Sequence, residues 1–305
     1  MKTGEIDRYL EAGRIAAAAR DLGAAMMRPG TTLLEIQLAV EEFIRGEGAG
    51  PAFPAQISLN HVAAHDCCPP GDPRELTARD LAKLDVGVEL EGYVADTART
   101  VDLAEGAGSP LVAAAHKALE AAIARVRPGV RVGELGNAIQ EAIEREGFRP
   151  VANLTGHGVG RYLVHCSPQV PNVTQGKGAR LAADTALAVE PFACDGKGWV
   201  DDLGLPQVFQ LAKPPRSRHQ LPLALEKAVK ARKGLPFARR DLARHLPPEE
   251  VEQGLELLAA KGLLISYPPL AERPGVRVSQ AEHTLLILAD RIQVTTDPDR
   301  PPIPL

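Results

Sequence analysis

The chain has 305 residues, enough for one large domain or two ordinary ones, and its 45% hydrophobic and 24% charged content is ordinary for a globular protein. A formal net charge of −4 carries neither the basic excess of a nucleic-acid binder nor an acidic tail. No run reaches the about 18 apolar residues of a transmembrane helix, so no membrane contact is expected. The four cysteines, Cys67, Cys68, Cys166 and Cys194, form no CxxC pair and no zinc spacing. They are expected as reduced thiols of a cytoplasmic protein. The start, MKTGEIDRYLEAGRIAAAARDLG, carries charges throughout and has no signal-peptide core.

In chain order, an Ala-rich helical run at 11–27 leads into RPGTTLLEIQLAVEEFIRGEG (28–48), a Pro-Gly turn and an amphipathic helix stopped by glycine. The same pattern returns without a gap at an offset of 99, as RPGVRVGELGNAIQEAIEREG (127–147), behind a second Ala-rich run at 111–126. Strand-like sequence follows each copy: PAFPAQISL and LAKLDVGVEL, then PVANLTGH and TALAVEPF. This internal repeat predicts two related α/β halves, helices against antiparallel strands, with a cleft between them. From 207 to 264 the chain is helical, punctuated by proline and locally basic. Between 213 and 245 ten Lys/Arg face only Glu226 and Asp241, an excess of eight positive charges. On charge alone that run reads as a solvated face balanced by acids elsewhere. EHTLLILADRIQVTT then returns to strand.

The chemistry begins in KLDVGVELEGYVADTARTVDL (83–103), which puts Asp85 and Asp96 inside buried strand. A turn at Glu91-Gly92 pairs Leu90 with Tyr93, sets residue 85 opposite residue 98, and leaves Asp96 on the face of Asp85. Two buried like charges need a compensating group: Arg99, a hydrogen-bond network or a metal ion. His157 is flanked by glycines in NLTGHGVGRYLVH, as though bulk were cleared for a ligand. Glu190 in ALAVEPF and Glu282 in SQAEHTLLIL are lone acids beside buried strands. Singly these read as a core histidine, a bulge acid and an edge charge. Together, four carboxylates and one imidazole suit a pair of divalent first-row ions about 3.5–4 Å apart.

The stretches AFPAQISLNHVAAH, KLDVGVELEGYVADTARTVDL, NLTGHGVGRYLVH, ALAVEPF, YPPL and QAEHTLLI resemble the type II methionine aminopeptidases, with a start that looks archaeal. The resemblance implies the α+β pita-bread fold shared with prolidase and creatinase: a catalytic domain of residues 1–206 plus 265–305, interrupted by a winged-helix-like insertion at 207–264. It implies two divalent ions (Co2+, Mn2+, Fe2+ or Zn2+) on Asp85, Asp96, His157, Glu190 and Glu282, with Asp96 and Glu282 bridging and Asp85 bidentate. It further implies that Glu190 is the general base, and that His65 and His165 are catalytic residues contacting the substrate. Phe53, Val164, Phe192 and Tyr267 then shape a methionine pocket. The implied partners are nascent polypeptide N-termini and, through the basic insertion, the ribosome; the implied state is a cytoplasmic monomer. His61 is a second histidine close to His65, while Cys166-Ser167 and Cys67-Cys68 depart from the family pattern. The alternatives are an Xaa-Pro aminopeptidase or prolidase on the same metal site, and a non-catalytic RNA- or ribosome-binding relative.

Overall fold

The computed structural model describes residues 1–216 and 221–305, so Arg218 of the basic run lies outside the described residues. The first half opens with helices α1 (Thr3–Met26) and α2 (Leu33–Gly46). Thr32 caps α2, its side chain accepting the Glu35 N–H at 3.2 Å. Both helices bury Ile15, Ile36 and Val40 against Leu84 and Val86 of an antiparallel sheet. That sheet contains Gly50–Pro51, β1 (Gln56–Leu59), β2 (Leu81–Leu90) and β3 (Tyr93–Asp102). The hairpin register is the expected one: Leu90 pairs with Tyr93, Asp85 with Ala98 and Gly87 with Asp96.

The second half repeats the plan with α3 (Pro110–Ile123), α4 (Val132–Arg145), β4 (Thr155–Gly160), β5 (Leu163–Pro171), β6 (Thr185–Val189) and β7 (Phe192–Cys194). Helices α2 and α4 are each 14 residues long. The turns before them use Gly30 and Gly129 at φ 87° and 86°, a left-handed conformation that disfavours any side chain. The duplication is thus visible in the backbone as well as in the sequence.

Residues after 207 form β8 (Val208–Leu211), α5 (Leu223–Ala231), β9 (Phe237–Ala238), α6 (Arg239–Leu242), α7 (Pro248–Ala260) and β10 (Leu264–Tyr267). Three antiparallel strands, in the order β9, β8, β10, pack with the helices around Phe209, Leu225, Val229, Phe237 and Leu258. The closing strand runs past residue 264 and carries Tyr267 to the cleft. The basic run is not one solvated face. Arg240 is only 5% exposed and pairs with buried Glu41 of α2, Arg232 donates to the Pro51 carbonyl at 2.8 Å, and Lys230 and Arg239 pair with Glu226 and Glu252 of the same segment.

The chain ends with β11 (Val278–Gln280), β12 (His283–Ile287) and β13 (Arg291–Val294). The second sheet runs Ile303–Pro304, β13, β12, β6, β4, β5. It meets the first sheet along β3. Thr284 Oγ1 accepts the Asp96 N–H at 2.8 Å and donates to the Asp96 carbonyl at 2.9 Å, while Thr97 Oγ1 donates to the Glu282 carbonyl at 2.9 Å. Buried hydrogen bonds of this kind are worth about 1 kcal/mol each. Their larger effect here is to fix the carboxylates of the two halves against each other.

Candidate metal centre

Asp85 and Asp96 enter the cleft from the β2–β3 hairpin, His157 from β4, Glu190 from the turn after β6 and Glu282 from the residue before β12. One ligand atom each from Asp96, His157 and Glu282 lies within 4.8 Å of the others. His157 Nε2 is 3.3 Å from Glu190 Oε1 and 3.7 Å from Asp96 Oδ2. His157 Nδ1 faces the Gly158 carbonyl at 3.2 Å, which places the ring proton there and leaves the Nε2 lone pair pointing at the acids. Burial lowers this histidine to about 3, so it is neutral and gives the acids no counter-charge.

Among the described residues, four carboxylates therefore share this site without a lysine or arginine to balance them. Arg99, the alternative partner, turns outward to Asp21 at 2.9 Å. Among the described residues no Lys or Arg pairs with Asp85, Asp96, Glu190 or Glu282. Asp85 Oδ1, Asp96 Oδ1 and Glu282 Oε1 are buried with no hydrogen-bond partner. Burial pushes Asp85 up to about 7, and burial with the neighbouring acids holds Asp96, Glu190 and Glu282 well above the usual carboxylate range. Orphaned anionic oxygens around one neutral imidazole fit hard divalent cations.

Free carboxylates titrate near about 4, so without cations the folded cluster keeps protons that the unfolded chain has released. That contribution to stability is fully present below about pH 4 and falls as pH rises towards the folded value. Divalent ions replace those protons, so metal should stabilise the protein more at pH 8 than at pH 5. A thousandfold excess over Kd adds about 4 kcal/mol, on the order of ten degrees in melting temperature. Thermal melts of chelator-treated protein with and without added metal at both pH values check this. An equal or larger shift at pH 5 would exclude the cluster as the binding site.

The site opens into a cavity of about 770 Å³ whose lining includes His65, His165, Phe53, Val164, Phe192 and Tyr267. Phe53, Val164 and Phe192 are buried, and Tyr267 stands edge-on to His65 with centroids 5.5 Å apart. His165 packs edge-on against His157 at 4.4 Å and presents its ring to the cavity. Burial lowers both cavity histidines, His65 to about 4. His65 Nδ1 lies 3.3 Å from the Pro268 carbonyl. A neutral ring donating its Nδ1 proton there presents Nε2 as an acceptor, which suits a substrate N–H. His61 does not line the cavity.

One expectation needs amendment. The glycines beside His157 do not clear space for a ligand: a Cβ on Gly156 or Gly158 would come within 2.5 Å of the Ala188 or Ser167 carbonyl oxygen, so neighbouring strands need the room. Sequence reasoning also missed two buried amides. Gln280 Nε2 reaches Glu282 Oε2 at 3.4 Å, and Gln56 sits opposite Asp85 with its Oε1 unpaired. Both stand at alternating strand positions, where an amide among apolar residues was the available signal.

The model of metallopeptidase family M24 matches residues 7–230. The chain belongs to this family. Its two-halved α+β architecture is the pita-bread fold expected from the sequence. The M24 chain is 42% identical to a methionine aminopeptidase of Archaeoglobus fulgidus over 291 residues, 95% of this chain and 98% of that protein. Among solved structures, a methionine aminopeptidase from Thermotoga maritima matches with TM-score 0.71 at 24% identity, over 97% of this chain and 98% of that one. The prolidase from Pyrococcus furiosus matches with TM-score 0.61 at 18% identity, over 98% of this chain but 65% of its own. Membership of a metallopeptidase family agrees with divalent metal at the buried acids. Among the described residues no helix is long and apolar enough to cross a membrane.

Proposed function

We infer that this M24 chain is a methionine aminopeptidase that hydrolyses the first peptide bond of polypeptides beginning with Met and a small second residue. The observation that carries the reading is one cavity in which the unpaired acids adjoin an apolar recess of Phe53, Val164, Phe192 and Tyr267. Identity of 42% over nearly the full length of a methionine aminopeptidase supports it over the prolidase alternative, and the gathering of Asp85, Asp96, His157, Glu190 and Glu282 at one cavity supports it over a non-catalytic relative.

Asp85, Asp96, His157, Glu190 and Glu282 would hold two divalent ions, of Co2+, Mn2+, Fe2+ or Zn2+. Such ions supply Lewis acidity and lower the pKa of a bound water. Glu190, which lines the cavity 3.3 Å from His157 Nε2, is placed to take a proton and pass it to the leaving amine. His165, neutral and open to the cavity, can donate to the developing oxyanion. His65 accepts a substrate N–H through Nε2. The recess is apolar where an unbranched thioether needs it to be.

Every group in the scheme comes from one chain, so a monomer suffices. Nascent N-termini in the cytoplasm are the corresponding substrates. A ribosome contact through the insertion would have to rest on the basic residues left at the surface, since Arg232 and Arg240 are used internally. The deciding assay compares Met-Ala-Ser, Met-Lys-Ser and Ala-Pro peptides with metal-loaded and metal-stripped enzyme. Metal-dependent release of Met from Met-Ala-Ser alone is expected. Preferential cleavage of Ala-Pro would replace this reading with the prolidase one.

A further inference from the structure

We propose that Arg232 and Arg240 of the insertion, with Glu41 of α2, are positioning residues that set selectivity for methionine by holding the backbone that carries Phe53 and His65. The selectivity claim rests on the aminopeptidase reading above.

The Ala55 peptide is pinned at both ends. Its N–H donates to Glu41 Oε1 at 3.3 Å, and its carbonyl accepts from Arg240 Nη2 at 3.5 Å. Arg240 also donates to the Cys68 carbonyl at 3.1 Å, contacts the Cys67 thiol, and pairs with Glu41, which is 1% exposed. Arg232 reaches the same segment higher up. Its Nη2 donates to the Pro51 carbonyl at 2.8 Å and the Ala52 carbonyl at 3.3 Å, while the guanidinium also holds Pro236 of the insertion at 2.7 Å. Two forked cations from one subdomain therefore grip residues 51–55 and the loop 67–68 of another.

These segments flank residues that the cavity uses. Phe53 lies between the carbonyls held by Arg232 and the peptide held by Arg240. Its ring is seated on bare backbone: a Cβ on Gly87 would fall 2.2 Å from Phe53 Cε1. Gly87 is the residue paired with Asp96, so a shift of this segment moves the pocket wall relative to the buried acids. His65 precedes the second held loop and has φ 66°, a strained conformation for a non-glycine residue, which requires its surroundings to keep it in place. Neither arginine lines the cavity, so any effect they have on substrate choice must act through these neighbours.

The test uses metal-loaded full-length enzyme carrying Arg232→Gln, Arg232→Lys, or the charge-neutral pair Glu41→Gln with Arg240→Met. Lysine keeps the charge but cannot span several carbonyls as a guanidinium does, so its effect should be intermediate. Arg232→Gln should lower the ratio of kcat/KM for Met-Ala-Ser over Leu-Ala-Ser by about tenfold, the scale of a one-methylene discrimination. The loss should fall mainly in KM for the Met peptide, with metal content unchanged. Amide exchange read by mass spectrometry should speed up about tenfold in residues 51–56 and stay as in the parent across 85–96. Should the paired variant fail to fold, the two Arg232 variants carry both measurements. Unchanged exchange at 51–56 in folded variants overturns the clamp, and an unchanged Met-to-Leu ratio overturns its role in selectivity. A parent that does not cleave Met-Ala-Ser refutes the aminopeptidase reading and the selectivity claim together, while exchange still decides the clamp.

Discussion

Replacing Glu282 or His157 with alanine is expected to abolish turnover, by more than about a thousandfold, and to lower bound metal while the protein stays folded. The two parts of this result have different causes. Glu282 is 2% exposed, and its pKa is raised first by burial and then by repulsion from Asp96, Glu190 and Asp85. In metal-free protein its removal relieves that repulsion, which offsets part of the packing lost with the side chain. In metal-loaded protein the same change removes a ligand and leaves the remaining acids with less compensation. The variant should therefore melt close to the parent when both are stripped, and well below it when both are loaded. Elemental analysis with paired thermal melts reads this directly. Full activity in either variant, or parental metal content, would remove the metal centre from the account.

Much of this site was legible because strand geometry is strict. The Glu91-Gly92 turn fixes the β2–β3 register, and a period of two then places Asp85 and Asp96 on one face. The repeat at offset 99 gave the two halves, since a turn glycine and a helix stop leave marks that survive where other residues drift. What the sequence did not reveal depends on contacts between distant segments. Thr284 and Thr97 look like ordinary strand threonines, yet they carry the hydrogen bonds that join Asp96 to Glu282 across more than one hundred and eighty residues. The basic run was opaque for the same reason. Charge counts along a chain cannot distinguish Lys230, which pairs within its own helix, from Arg240, which is buried against α2. Nor could the residue order alone show that the glycines around His157 make room for neighbouring strands, because that depends on how closely β5 and β6 approach β4.

His65→Ala is expected to keep both metals and lose about two to three orders of magnitude in kcat/KM, the scale seen when one transition-state contact is removed. No ligand atom of the acid cluster belongs to His65, so metal stoichiometry and rate should separate in this variant as they do not in Glu282→Ala. Because the backbone at His65 has φ 66°, alanine there adds strain of its own. Asparagine tolerates that conformation, so His65→Asn serves as the control, and a loss of similar size in both variants assigns the effect to the imidazole. The pH profile supplies a further sign. Burial lowers His65 to about 4, so its Nε2 is an unprotonated acceptor from neutral pH down to that value and disappears as an acceptor below it. Removing His65 should therefore lower the rate by a constant factor between pH 6 and pH 9, without introducing a new inflection there. His61 is the internal comparison: it lies in the turn before β-strand residues Val62–Ala64, outside the cavity, and His61→Ala should retain parental kinetics. If His61→Ala shows the metal-retaining loss and His65→Ala does not, the substrate contact belongs to His61 and the acceptor role drawn from the Pro268 hydrogen bond is wrong.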